Sequence, residues 1–215
     1  MLAEAQVAVG VSLELGCVSA RCDSFSQPLH DQMTNGTFDN IAGMPLMSGD
    51  EWDAEHRTGR KRVYRAERHG YRFDTVNREE WTDDLYAINT SAEVRQGRRM
   101  SESYTRRYQY SALPVYECER HQVRTYGVTA EAGHLVAYLW LYVCGQLRLC
   151  SSIIGHADHL DDGIMYLMFR GMLDAEHSRD PDGLVMYHRW DNGTDGLRFY
   201  KQHVGLRDTA VRWLP

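Results

Sequence analysis

The sequence predicts a mixed α/β domain in which a central, mostly antiparallel sheet is flanked by helices. Three observations predict it. Runs of β-formers between residues 122 and 154 follow one another with short turns. An apolar stripe at spacings of three and four runs through Ile164, Leu167, Met168, Met172 and Leu173. The last forty residues then read strand, helix, strand. Strands grouped in the middle and helices between later strands fit neither a strictly alternating parallel fold nor an all-β chain.

Taken in order, residues 1–55 are rich in Ser, Gly, Met and Asp, with short apolar bursts such as Val7 to Leu15. Gly36, Gly43, Pro45 and Gly49 interrupt them. We expect an N-terminal arm or loop-rich extension there, where a homodimer contact would form, and a main domain over 56–215. Lys61 to Val76 reads as a strand pair turning at His69-Gly70, because Val63, Tyr64, Tyr71, Phe73 and Val76 are β-formers. Asn77 is placed to cap a helix through Trp81, Leu85 and Ile88, with Glu79 and Glu80 in its first turn. A polar stretch from Asn89 to Arg107 follows, with a helix start at Ser101.

Gln122–Ala130 and His134–Val143 flank a hairpin connection at Glu131-Ala132-Gly133, and Leu147–Ile154 continues the meander. Asp161 and Asp162 open the helix that bears the apolar stripe. Pro181-Asp182-Gly183 is a turn. Leu184–Trp190 is a strand, Asp195–Val204 a helix ended by Gly205, and Thr209–Leu214 the last strand.

Apolar residues make up 43% of the 215 residues and charged ones 25%, enough for a core of ordinary size. A net charge of −6 argues against a general nucleic-acid coat, though not against a local basic site. Five cysteines without a Cys-x-x-Cys pair, with Cys144 and Cys150 in an apolar stretch, point to buried thiols and a reducing, cytoplasmic setting. No run approaches a membrane span, and the first residues lack the basic-then-apolar pattern of a secretory signal.

The element order resembles the GNAT fold over Lys61 to Pro215. Within it, Gly196-Leu197-Arg198-Phe199-Tyr200-Lys201 followed by Gly205 resembles a motif of the Fem-type, aminoacyl-tRNA-dependent transferases. Those proteins carry a Gly-Leu, an aromatic-Lys pair and a later Gly, usually in two GNAT-like halves; this chain has room for one. The resemblance implies an acyltransferase that forms an amide by moving an aminoacyl group from aminoacyl-tRNA to an amine of a small molecule or peptide. No cofactor is then needed beyond the acyl donor.

The alternative within the same fold is an acetyl-CoA-dependent N-acetyltransferase. Such enzymes hold the pyrophosphate on a Gly-rich loop and helix N-terminus. Here that stretch is Ile154 to Gly163, with two separated glycines and three aspartates that repel a pyrophosphate. A GNAT-fold DNA-modifying protein is the third reading.

Amide formation needs a base for the amine, donors for the oxyanion and a proton for the leaving group. Lys201 is the first candidate, by the Fem-type resemblance, as a cation for the oxyanion or the terminal phosphate. Tyr187 and His188, on the strand before the motif, are candidates for acid and base, with Tyr200 as a further acid. Asp191 and Asn192 are placed to orient the acceptor. Two basic clusters stand out: Arg57, Arg60, Lys61, Arg62, Arg65 and Arg68, and then Arg95, Arg98, Arg99, Arg106 and Arg107 among Tyr104, Tyr108 and Tyr110. Charge interleaved with aromatics suits phosphates and unstacked bases. We therefore expect Arg95, Arg98, Arg99 and Tyr104 to bind substrate, for instance a tRNA acceptor end. His156 and His159 near Asp158, Asp161 and Asp162 do not have a zinc-site spacing, and no metal is assigned.

Overall fold

The computed structural model describes residues 4–7, 11–14, 38–113, 120–191 and 193–214. Asn192, Cys17, Cys22 and Cys118 lie outside them, as do residues 8–10 and 15 of the first apolar burst.

The chain opens with β1 (Glu4–Val7), β2 (Val11–Glu14) and β3 (Phe38–Pro45). Then come α1 (Gly49–Glu55), α2 (Arg57–Arg68), β4 (Arg72–Thr75) and α3 (Thr82–Thr90). A hairpin of β5 (Val94–Arg95) and β6 (Arg98–Arg99) precedes the single turn α4 (Glu102–Thr105). The meander is β7 (His121–Thr129), β8 (Leu135–Cys144) and β9 (Leu147–Gly155). A 3₁₀ turn over Ala157–Asp162 leads into α5 (Ile164–His177). β10 (Leu184–Arg189), α6 (Asp195–His203) and β11 (Arg207–Leu214) finish the domain.

One sheet holds nine of these strands in the order β2-β1-β11-β3-β10-β9-β8-β7-β4. Every pairing is antiparallel except β9 with β10, whose crossover runs through α5. The mixed, mostly antiparallel sheet expected from the sequence is therefore present. The meander, the turn at 181–183 and the C-terminal strand-helix-strand fall where the periodicity put them.

Two expectations are corrected. Residues 38–55 are not an appended arm: β3 lies between β10 and β11 inside the sheet. Trp52 on α1 is fully buried and donates its indole N–H to the Val204 carbonyl at 2.8 Å, which ties this segment to the C-terminal end. The boundary at 55 thus falls within a packed unit. Second, the first half of the supposed strand pair is the helix α2. Its Gly59, Val63 and Ala66 recur at helical spacing and are buried, whereas Tyr64 points outward at 53% exposure. Only Arg72–Thr75 is strand. β-propensity at Val63 and Tyr64 yields here to burial of one helical face.

The main core lies between the sheet and α1, α2 and α5, with Phe169, Met172, Leu173, Leu139, Leu141 and Val185 at its centre. A smaller cluster on the opposite face packs α3, through Leu85 and Ile88, on Leu135 and Tyr138. Cys144 and Cys150 are buried free thiols, as expected.

Candidate functional site

β9 and β10 run side by side for three residue pairs, from Leu184 against Leu147 to Met186 against Leu149, and then part. Each strand carries an irregularity just past that point. On β9, Trp140 faces Ser152 while Leu141 faces Cys150, so Ser151 is an extra residue in the ladder. On β10, Met186 faces Gly43 and Arg189 faces Ile41, with His188 in the left-handed region at φ 58°. Bulges bend the strand that holds them and increase its twist. Two bulges on neighbouring parallel strands split the sheet.

The split opens a cleft of about 770 Å³. Its floor is the parted end of β9, from Ser151 to Gly155, and one wall is Tyr187 and His188 of β10. Thr194, Leu197 and Tyr200 at the start of α6 form another side, and Leu160 and Met165 a third. The β5–β6 hairpin crosses above, with the tip glycine, Gly97, next to Thr194. Among the described residues that line this cleft there is no carboxylate, whereas Arg95 and Arg99 are present.

Of the residues singled out in the sequence, Tyr187, His188, Tyr200, Arg95, Arg99 and Tyr104 meet here. Tyr187 is buried, and burial pushes its phenol up to about 12. Tyr200 donates its hydroxyl to the Met165 carbonyl at 3.1 Å, and burial holds its phenol well above the usual tyrosine value. The Arg95 guanidinium donates to the Gly155 carbonyl at 2.8 Å, to the Ile88 carbonyl at 2.7 Å and to Ser91 Oγ at 2.7 Å. Arg95 therefore clamps the hairpin to α3 and to the end of β9, and burial lowers its affinity for a proton. Arg99, at 84% side-chain exposure, reaches over the opening 3.9 Å from Glu93. Arg98 is placed by its backbone, in β6 opposite Arg95.

The others sit elsewhere. Lys201 is 0% exposed and does not line the cleft. Its ammonium donates to the Arg189 carbonyl at 2.6 Å and lies 5.7 Å from the centre of the Tyr187 ring. Burial lowers it to about 8, against the opposing pull of Asp191. Its position is behind the tyrosine that faces the cleft, where it holds the end of β10. Asp191 is exposed and paired with Arg189 at 3.2 Å, whose hydrogen bond keeps the carboxyl below its ordinary value.

The turn before α5 packs on α2. Gly163 has φ 91°, and a Cβ there would lie 2.4 Å from the Arg62 carbonyl oxygen of α2. Asp162 accepts from Tyr71 at 2.9 Å and pairs with His69 at 3.0 Å and Arg65 at 3.4 Å. His159 Nδ1 is 2.6 Å from the Tyr71 hydroxyl. The acidic and histidine-bearing turn is thus bound to α2 and Tyr71, and no group of three or more metal-ligating side chains occurs among the described residues.

Sequence reasoning missed Ser151, Ser152, Ile153 and Ile154 as the floor. The signal was present as two serines in an otherwise apolar strand, a pattern that marks a bulge only once the neighbour's register is known.

No known family profile matches this chain, and no curated protein does. Among solved structures it is similar to L-PGS from Bacillus licheniformis, at 14% identity and TM-score 0.54, over 91% of this chain and 65% of that one. It is similar to the C-terminal DUF2156 domain of a putative lysylphosphatidylglycerol synthetase from Agrobacterium fabrum, at 13% and 0.52, over 92% and 66%. FemX matches at 12% and 0.58, over 90% and 69%. The chain spans about two thirds of the length of these structures. A Fem-type protein is thus among its structural relatives, and with its parted parallel strands inside a mostly antiparallel sheet, the chain has the GNAT fold.

Proposed function

We propose that this protein is an acyltransferase that moves an aminoacyl group from aminoacyl-tRNA to an amine of a small molecule or peptide. One observation carries the reading: the cleft between β9 and β10 is open and lined by Arg95 and Arg99, while the turn that leads into α5 packs against the Arg62 carbonyl at Gly163 and carries Asp158, Asp161 and Asp162, which disfavour a pyrophosphate. Acyl-CoA needs that helix end for its pyrophosphate. An aminoacyl ester on a ribose does not.

In the reaction the amine nitrogen attacks the ester carbonyl. The C–N bond forms, the C–O bond to the ribose breaks, the nitrogen loses a proton and the ribose oxygen gains one. The edge of β9 from Ser151 to Gly155 has left its β10 partner, so the alternate backbone N–H groups that are not bonded to β8 are left on the cleft side as donors for the oxyanion. Tyr187, with its phenol at about 12, stays protonated near neutral pH and supplies the proton to the leaving oxygen. His188, exposed on the same wall, takes the proton from the amine. Arg99 and Tyr104 hold the terminal phosphate and base. The Fem-type resemblance of Gly196–Lys201 and the likeness to FemX support the same donor.

The test is direct. The full chain is incubated with bacterial tRNA charged with labelled amino acids, together with a pooled extract of amines and peptides, and in parallel with labelled acetyl-CoA. An RNase-resistant labelled amide from the tRNA arm is expected. Label passed from acetyl-CoA and none from aminoacyl-tRNA overturns the reading.

A further inference from the structure

Six of the twelve residues of α2 are cations, against one acid, Glu67. Gly59, Val63 and Ala66 occupy its buried face. The outer face carries Arg57, Lys61, Tyr64 and Arg68, spaced four, three and four, and all four are exposed. Residues so spaced lie one above another, in a stripe about 17 Å long. Among the described residues, no ion pair engages Arg57, Lys61 or Arg68. The inner cations turn toward the protein: Arg62 to the Asp161 carbonyl at 3.3 Å, Arg65 to Asp162.

Helix stability does not account for the stripe. Arg57 and Arg60 occupy the first turn, where the helix dipole disfavours cations. Arg57 and Lys61 are like charges at i,i+4, a further small cost. The whole chain carries −6, so the positive field is local. The apolar face of α2 packs on α5 and Trp52, which leaves none to enter a bilayer. Tyr64, in the middle of the cations, offers a ring to an unpaired base. The helix also borders the cleft. Arg62 lies on Gly163, and the adjoining turn contributes Ala157 and Leu160 to the cleft wall.

We propose that Arg57, Lys61, Tyr64 and Arg68 form a docking stripe for the ribose-phosphate backbone of RNA. Under the function above, that RNA is the stem of the tRNA whose acceptor end enters the cleft; the identity of the RNA rests on that reading, and the binding itself can be measured without it.

Filter binding of the full chain to deacylated bacterial tRNA tests the stripe, comparing the unmodified protein with the Arg57→Gln, Lys61→Gln, Arg68→Gln triple variant. All three side chains are exposed, so circular dichroism should show the fold retained. The triple variant should bind tRNA at least about tenfold more weakly at low salt, with the slope of log K against log salt reduced by about 2–3. Equal tRNA affinity in the two proteins sinks the proposal. So does an unmodified protein that prefers equimolar-phosphatidylglycerol vesicles or duplex DNA to tRNA. Transfer from a 3′-aminoacylated CCA trinucleotide, which lacks the stem, should survive the triple substitution. A protein that binds tRNA through the stripe yet transfers from neither donor retains the stripe and loses the aminoacyl reading.

Discussion

The two ends of β9 are built in opposite ways. At Leu147–Leu149 the strand is bonded to β10, and beside it Glu176, 0% exposed, lies against Arg148, 2% exposed, with Nε 3.0 Å from the carboxylate. Arg124 and Tyr126 donate to the same carboxylate, and Arg148 also pairs with Asp180 at 3.0 Å. At Ser151–Gly155 the same strand has no β10 partner and borders a cleft lined by no carboxylate among the described residues. One end is closed by a compensated charge network and the other is held open by bulges. The closed end supplies the rigidity that lets the open end keep its shape, since a strand parted from its neighbour loses hydrogen bonds and cross-strand packing there.

The comparison is most easily broken at the closed end. Glu176→Gln leaves two arginines facing each other without their shared anion, and should cost about 3–5 kcal/mol of stability. Urea denaturation measures it; a loss under about 1 kcal/mol means the network does not brace the strand. At the open end, Tyr187→Phe should lower turnover by roughly a hundredfold, with KM nearly unchanged, because it removes a proton donor and not a binding group. Unchanged turnover would discard Tyr187 as the acid.

Lys201 sharpens the contrast through pH. Its folded value of about 8 is below the unfolded lysine value, so between about pH 8 and 10 the unfolded chain holds a proton that the native one lacks. The contribution of Lys201 to stability then rises with pH across that window, on the order of 2 kcal/mol. The buried thiols of Cys144 and Cys150, pushed up by burial, contribute in the opposite direction because the unfolded chain ionises them first. Above pH 10 the buried tyrosines act oppositely, because the unfolded chain loses those protons first. Lys201→Met should make stability fall more steeply between pH 8 and 10 than in the unmodified protein, and parallel urea midpoints for the two proteins in that range would show that Lys201 does not titrate there. The smallest effect is expected at Asp191: it is exposed and outside the cleft, so Asp191→Asn should leave the urea midpoint essentially unchanged and alter turnover by less than about threefold. A larger loss of turnover would place Asp191 on the substrate.

Much of this was legible from residue order alone. Alternation marked β7 to β9, and the stripe from Ile164 to Leu173 marked α5. Tyr187 and His188 are singled out because they precede a recognisable motif, Tyr200 because it lies in it, and Arg95, Arg99 and Tyr104 because charge and aromatics cluster there; the fold brings these six to one cleft. Lys201 was read from the same motif, yet its side chain turns inward to a carbonyl, a direction that depends on how α6 seats against β10. α2 was misread because two β-formers stand among charges, and only the packing of Gly59 and Val63 decides which period holds.

By itself, then, the chain's local chemistry determined the mixed fold, the meander, the long buried helix and the candidates near residues 187–200, since these depend on period and side-chain type over a few neighbours. The tertiary structure decided what depends on distant partners. It put β3 within the sheet, split β9 from β10 at Ser151 and His188, and laid the Arg62 carbonyl over Gly163. Strand order, bulge register and the packing of one helix on a distant turn are properties of surfaces brought together from far apart in sequence, and no short window contains both sides of such a contact.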